Sequence, residues 1–271
     1  MPHPYFDVPV PTIIGHRGAA GSAPENTLPS FERALELGAH ILESDLHVTR
    51  DGVPVLIHDP DVERVCEGQG RVEELDLAEL KKLDAAHYFS PYEGGGFPMR
   101  DQGIAIPTLA EAFEAFPEAR FNLEIKASPP ELVTAVLALI GEYERSARTL
   151  LTAGDDPVMA ELRRQLSAAR GGANVTPAIG ASLADILACV QAALSGSPPA
   201  CDSMALQIPA DFGGDPLVTQ QLVDHLHAHG IAIHVWTINE PEEMHRLLDL
   251  GVDGLVTDHP ERMAAVLAQR A

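Results

Sequence analysis

Three cysteines in 271 residues, Cys66, Cys189 and Cys201, are too few and too scattered for a disulfide framework, and no CxxC pair points to zinc. The expectation is a protein of a reducing compartment, the cytoplasm. Positive charge is scarce as well: 18 Lys and Arg stand against 40 Asp and Glu, for a formal net charge of −22. Such a surface repels nucleic acid and anionic membranes. It also repels an anionic substrate unless a bound cation or local basic groups reverse the sign inside a site. No apolar run approaches ~18 residues, so no membrane span or stable membrane insertion is expected. The opening MPHPYFDVPVPT has neither the basic nor the apolar region of a secretory leader. Internal repeats and low-complexity tracts are missing too.

What is present is an alternation of short apolar strands with amphipathic helices. The strands are expected at Thr12–Gly15, His40–Asp45, Phe121–Lys126, Thr149–Ala153, Asn174–Ala178, Ser203–Ile208, Ala232–Thr237 and Gly254–Thr257. Thr108 to Glu111 and Asn239 to Glu242 have the form of capping boxes, and Asp156-Pro157 that of an N-cap followed by proline. Eight strands each followed by a helix predict an α/β protein, a (β/α)8 TIM barrel filling residues 1–271 as one domain. An open doubly wound sheet is the alternative, and it usually needs fewer strands.

One segment breaks the rhythm. Asp51-Gly52 in HVTRDGVPVLIHDP is a hairpin signal, which makes Val53–His58 a return strand above the barrel. A turn centred on those two residues sets Asp45 opposite His58, and a slip of two sets Glu43 there. The following stretch, about 60–106, is too long for an ordinary connection. It is expected to form a small insertion or lid, with Tyr88, Phe89, Tyr92 and Phe97 around a glycine run at 94–96. Those aromatics either close on a substrate or form the insertion's own core.

Chemistry in a barrel of this kind gathers at the C-terminal ends of the strands. Those ends carry His16 and Arg17, Glu43 and Asp45, Glu124 and Lys126, Trp236 and Asn239, and Thr257 and Asp258, with His58 on the return strand. Glu43 and Asp45 share one face of their strand, as do Glu124 and Lys126. Three converging carboxylates repel one another, and a hard divalent cation, Mg2+ or Ca2+, relieves the conflict with oxygen ligands. The plainer alternative is that Glu124 pairs with Lys126 and the others are solvated. His16 and His58 are candidates for an acid and a base working near neutral pH. Arg17 and Lys126 supply positive charge for an anionic oxygen, and Trp236 is a candidate pocket wall.

Other residues are weaker candidates. His225, His227 and His229 in HLHAHG lie on a helix end, with Gly230 as its cap, and do not share one face. Asn26 and Thr27 either touch a ligand or cap the helix starting near Leu28.

Taken together, HRG at 16–18, ENT at 25–27, ESD at 43–45, HD at 58–59, EIK at 124–126 and TD at 257–258 resemble the glycerophosphodiester phosphodiesterase family over nearly the whole chain. The resemblance implies a TIM barrel with an insertion after its second strand. It implies His16 and His58 as the acid/base pair, Glu43, Asp45 and Glu124 as ligands of Mg2+ or Ca2+, and Arg17 and Lys126 near the phosphate. The implied reaction yields glycerol 3-phosphate and an alcohol. In it the substrate's 2-hydroxyl attacks first, and water then opens a cyclic phosphate. The sequence departs from the family pattern at LLTAGDD, 150–156, where many members have a serine–phenylalanine pair, and His259 occupies a variable position. Two alternatives remain: a lysophospholipase D-like enzyme, which requires an apolar patch at the mouth, and a non-catalytic phosphate- or polyol-binding barrel, which requires the loss of a ligand or a histidine.

Overall fold

The computed structural model describes residues 3–92, 94–126, 130–169 and 176–270. Its strands are β1 (Thr12–Gly15), β2 (Ile41–Val48), β3 (Pro54–Leu56), β4 (Arg120–Ile125), β5 (Thr149–Thr152), β6 (Ala178–Ile179), β7 (Ala205–Pro209), β8 (Asp211–Phe212), β9 (Asp215–Pro216), β10 (Ala232–Trp236) and β11 (Gly254–Thr257). The helices are α1 (Leu28–Glu36), α2 (Leu77–Leu80), α3 (Leu109–Ala115), α4 (Pro130–Glu142), α5 (Asp156–Ala169), α6 (Leu183–Ser195), α7 (Gln220–Ala228), α8 (Pro241–Asp249) and α9 (Pro260–Arg270). Eight strands run parallel in the order β6-β5-β4-β2-β1-β11-β10-β7, with β3 appended to β2. At the seam between β6 and β7, Met204 N donates to Ile179 O at 2.8 Å, so the sheet is a nearly closed barrel.

The apolar runs become strands because both of their faces are covered. One face meets the helices, through Phe31, Phe113, Leu123, Leu151 and Leu255 among others. The other fills the barrel, where Ile14, Ile41, Leu150, Ala178, Ala205 and Val256 surround a fully buried Tyr5. Tyr5 comes from a 3-10 turn, Pro4–Phe6, and closes the floor at the N-terminal ends of the strands.

Most expected boundaries are met within two residues; β2 extends three residues further, to Val48. The strand expected at Asn174–Ala178 begins at Ala178, and residues 174 and 175 lie outside the described residues. Thr108 and Glu111 form the expected capping box. Asn239 does not form one, because its amide is engaged at the end of β11 and Glu240 stands at the N-cap of α8. At α5 the capping side chain is Asp155, which accepts from Val158 N at 3.0 Å; Asp156 reaches instead to Ala184 N at the start of α6. The cysteines are less scattered than their numbers imply: Sγ of Cys189 lies 3.2 Å from Sγ of Cys201, both thiols being free.

The hairpin corrects the expected register. Leu46 pairs with Leu56, His47 with Val55 and Val48 with Pro54, so neither Asp45 nor Glu43 faces His58. The loop has three residues, 50–52, closed by Thr49 N to Val53 O at 3.0 Å, with Gly52 in the left-handed region at φ 84°. A glycine supplies that conformation at little cost, and the extra loop residue shifts the pairing by one.

Beyond β3 the chain builds a second hydrophobic cluster. Val55, Ile57, Val62, Cys66, Val72, Leu80, Ala85 and Ile106 make a separate, aliphatic cluster. Tyr88, Phe89, Tyr92 and Phe97 stay out of it, and Tyr88, Tyr92 and Phe97 are exposed. No helix among the described residues is long and apolar enough to cross a membrane.

Candidate active site

At the C-terminal ends of the strands a cleft of about 260 Å³ is lined by His16, Arg17, Glu43, Asp45, His58, Glu124, Lys126 and Trp236, while the other strand-end candidates, Asn239, Thr257 and Asp258, are not among its lining residues. Asn122, Thr152, Gln207, Thr237 and Val256 complete its walls. A larger groove of about 1060 Å³ opens at the opposite end, beneath Tyr5, among Val8, Val10, Met204, Ile231 and His234. Among the described residues its lining carries a single carboxylate, Asp253, paired with His227, so the chemistry belongs to the smaller cleft.

The turn after β1 places His16 and Arg17. His16 N donates to Thr257 O at 2.9 Å, which ties the turn to β11. Arg17 adopts φ 49°, uncommon for a side chain with a Cβ, and its backbone N donates to Glu43 Oε2 at 2.9 Å. Gly18 follows at φ 89°; a Cβ there would lie 2.4 Å from Ser30 Oγ, so α1 packs against bare backbone. Thr27 caps α1. Asn26 instead donates from Nδ2 to Asp45 Oδ2 at 3.0 Å and accepts from Ser44 Oγ at 2.6 Å, which fixes the Asp45 carboxylate from behind.

Both histidines have one ring nitrogen committed to a carboxylate. His16 Nδ1 lies 2.7 Å from Asp258 Oδ1, and His58 Nδ1 lies 2.7 Å from Asp59 Oδ1. In each case Nε2 is the nitrogen left over. His58 sits past the end of the β3 ladder, and His47 Nε2 donates to its carbonyl at 3.0 Å. Burial works against charge on His16, but the Asp258 hydrogen bond and the Glu43 charge outweigh it and raise its pKa. His47 is held neutral more strongly than a free imidazole by its burial.

Charges alternate through the cleft. Lys126 Nζ stands 2.6 Å from Glu124 Oε2 and 3.2 Å from Asp45 Oδ1, and Arg17 Nε is 3.3 Å from Asp45 Oδ2. Burial alone would push the Asp45 carboxyl up; Lys126 and Arg17 overcome it and hold the pKa low. Glu43 goes the other way, raised by burial and then by the charge of Asp45. Two buried carboxylates in such conflict suit a cation between them. Asn122 Oδ1 and both amide atoms of Gln207 are buried in the cleft wall without a hydrogen-bond partner among the described residues, so further oxygens remain to be satisfied there. This donor set fits a hard divalent ion. Glu43, Asp45 and Glu124 do not form one compact ligand group, however. Among the described residues the carboxylate/imidazole group with donor atoms within 4.8 Å of one another is Asp84, His87 and Asp101, while Lys126 holds Glu124.

Behind the cleft a relay of ion pairs reaches the insertion. Arg17 Nη1 donates to Glu25 Oε1 at 2.8 Å, and Arg64 grips both Glu25 oxygens at 2.7 Å. Arg64 also pairs with Asp59, the partner of His58. A crevice of about 230 Å³ beside this relay is lined by Glu25, Arg64, Ala85, Tyr88 and Phe89. Sequence reasoning missed Asn122 and Gln207. Asn122 was within reach, since it lies two residues before Glu124 on the same strand face. Gln207 carried a fainter signal, a polar residue in the middle of an apolar strand.

A sequence model of the Glycerophosphoryl diester phosphodiesterase family matches residues 16–262. A glycerophosphodiester phosphodiesterase of Caldanaerobacter subterraneus subsp. tengcongensis is 31% identical over 259 residues, covering 93% of this chain and 95% of that protein. A lysophospholipase D of Rattus norvegicus is 29% identical over 283 residues, covering 94% and 85%. Among solved structures, an Oleispira antarctica phosphodiesterase in complex with the product sn-glycerol-3-phosphate superposes with a TM-score of 0.75 at 27% identity, covering 96% of this chain and 97% of that one.

Proposed function

The chain belongs to the glycerophosphoryl diester phosphodiesterase family, and from that premise we propose how its cleft hydrolyses a glycerophosphodiester to glycerol 3-phosphate and an alcohol. His16 and His58 are the acid/base pair. The observation that carries this reading is that each imidazole has its Nδ1 engaged by a carboxylate, at 2.7 Å in both cases, so that Nε2 is the working nitrogen on both. One ring accepts the proton of the substrate's 2-hydroxyl as that oxygen attacks phosphorus. The other delivers a proton to the departing alcohol oxygen. With roles exchanged, the pair then activates water and reprotonates the 2-hydroxyl as the cyclic phosphate opens. Arg17 and Lys126 face the phosphate oxygens, and Trp236 flanks the substrate.

Glu43, Asp45 and Glu124 are the residues that would hold a divalent cation, Mg2+ or Ca2+. When bound, such an ion supplies positive charge against phosphate oxygens in a protein of net charge −22. Lys126 would release Glu124 to complete that set. The insertion selects the alcohol group, through Tyr88 and Phe89. The free thiols at 66, 189 and 201 support a cytoplasmic location.

A lysolipid diester is the second reading. Phe212, 80% exposed on the β8–β9 hairpin, follows closely on Pro209, which pairs in register with the exposed Trp236 of the cleft. An apolar rim of this kind suits an acyl chain. The test is release of glycerol 3-phosphate from glycerophosphocholine, set against hydrolysis of a lysophosphatidylcholine. His16→Ala and His58→Ala should each lower kcat by about 10²–10⁴ with little change in melting temperature. Near wild-type kcat in either variant removes that residue from the mechanism, and preference for the lysolipid selects the second reading.

A further inference from the structure

We propose that the neck of the insertion's outer loop is a second divalent-metal site, formed by Asp84, His87 and Asp101. It lies in the insertion and shares no residue with the catalytic cleft. The ion it suits is a first-row divalent metal such as Mn2+, which accepts carboxylate oxygens and an imidazole nitrogen together.

The geometry has two parts. Donor atoms on one ion lie about 2.0–2.4 Å from it, so they cannot be more than about 4.8 Å apart. One donor atom from each of Asp84, His87 and Asp101 satisfies that limit mutually. Glu67 adjoins them: its carboxylate accepts from Asp84 N at 3.1 Å, and its Oε2 lies 3.7 Å from His87 Nδ1. That separation is too long for a hydrogen bond. The His87 side chain is 21% exposed, but its Nδ1 is shut off from solvent and has no hydrogen-bond partner among the described residues. A shielded ring nitrogen beside the Glu67 carboxylate, with no hydrogen bond to it among the described residues, is free to serve as a ligand atom.

The second part is charge. The cleft carboxylates Asp45 and Glu124 each have a lysine or arginine within ion-pair distance. Among the described residues, Asp84, Asp101 and Glu67 have none. The nearby Arg100 is turned away; its guanidinium lies 4.0 Å over the Phe97 ring and its Nε donates to His87 O. Like charges left together oppose one another, and a cation converts that repulsion into attraction.

Position gives the site its role. Asp84 and Asp101 stand at the two ends of the loop that carries Tyr88, Phe89, Tyr92 and Phe97. The ends already meet through Asp101 N to Asp84 Oδ2 at 2.7 Å and Ala85 N to Ile104 O at 2.7 Å. An ion there cross-links the neck and holds Tyr88 and Phe89 against the Arg64–Glu25 crevice.

Mn2+ binding to the full chain, counted by the loss of the free-ion electron paramagnetic resonance signal, tests this. Wild-type protein should bind one more equivalent than either Asp101→Asn or His87→Gln. A Glu43→Gln/Asp45→Asn variant should keep that equivalent, so the outcome is independent of metal binding in the cleft. Mn2+ should also slow proteolysis at Gly94–Gly96 in wild type and in the cleft variant, and not in the loop variants. Asp101 is exposed, and its replacement by asparagine should leave the melting temperature without metal unchanged. Equal Mn2+ stoichiometry in wild type and both loop variants overturns the proposal.

Discussion

Asp258 holds His16 with one oxygen, at 2.7 Å from Nδ1, and is itself held by Asn239, whose Nδ2 donates to the other oxygen at 2.6 Å. Thr257 Oγ1 and Asp258 N both donate to Asn239 Oδ1, so a residue from the end of β10 fixes the partner of a residue at the end of β1. Asp258→Ala should therefore act through His16. We expect kcat to fall by on the order of 10² with KM nearly constant, and the His16 pKa, followed by NMR, to drop. An unchanged His16 titration would show that Asp258 serves only the scaffold.

Metal dependence is the expectation from Glu43 and Asp45, buried together with one carboxyl forced up and the other held low. EDTA should abolish turnover, and Mg2+ or Ca2+ should restore it. Asp45→Asn should raise the metal concentration needed for half-maximal activity by at least tenfold. Full turnover in a metal-free preparation would refute this.

The outer loop should govern the alcohol group. Tyr88→Ala and Phe89→Ala, which open the crevice beside Arg64, should change the ratio of kcat/KM between two glycerophosphodiesters by on the order of tenfold. Tyr92 projects into solvent, and Tyr92→Ala should leave that ratio alone. Equal losses on all substrates together with a lower melting temperature would assign these rings to stability.

His234 gives stability a pH dependence. It is fully buried, and burial lowers its pKa to about 4. A group with a depressed folded-state pKa contributes nothing adverse above its unfolded value of about 6.5, and its protonation increasingly favours unfolding as pH falls from there to about 4. The full effect is about 3 kcal/mol. Denaturant midpoints between pH 7 and pH 4.5 should fall less steeply for His234→Asn than for wild type. Parallel curves would show that His234 does not titrate with unfolding.

Cys189 and Cys201 should join when exposed to a disulfide oxidant such as oxidised glutathione. Two thiols become one protein disulfide as the oxidant becomes two thiols. Intact mass should fall by about 2 Da, and Cys66, buried and with its thiol pushed up to about 12, should remain alkylatable only after unfolding. Glutathione adducts alone, with no intramolecular bond, would count against it.

Much of the site could be read before the fold was known, because strand ends bearing His16, Glu43, Asp45 and Glu124 also carry the apolar runs that define those strands. The hairpin register could not. Asp51-Gly52 signals a turn, but whether Gly52 sits inside a two-residue turn or closes a three-residue loop depends on Thr49, whose hydroxyl accepts from Val53 N. Asn239 illustrates a different limit. Its local pattern suits a cap, and its actual partner, Asp258, is nineteen residues away. Local propensity says nothing of a distant carboxylate that binds the same amide more strongly.

Arg64 belongs to the insertion and Glu25 to the loop before α1, and their two-oxygen, two-nitrogen clasp joins those parts behind the catalytic face. For protein engineering, this makes the insertion a module with a plug as well as two ends. A transplanted insertion lacking an arginine at that position would leave Glu25 shared with Arg17 alone and Asp59 free to swing from His58. A chimera designed to exchange substrate range should thus be drafted around residues 25, 59 and 64 first, and around its splice points second.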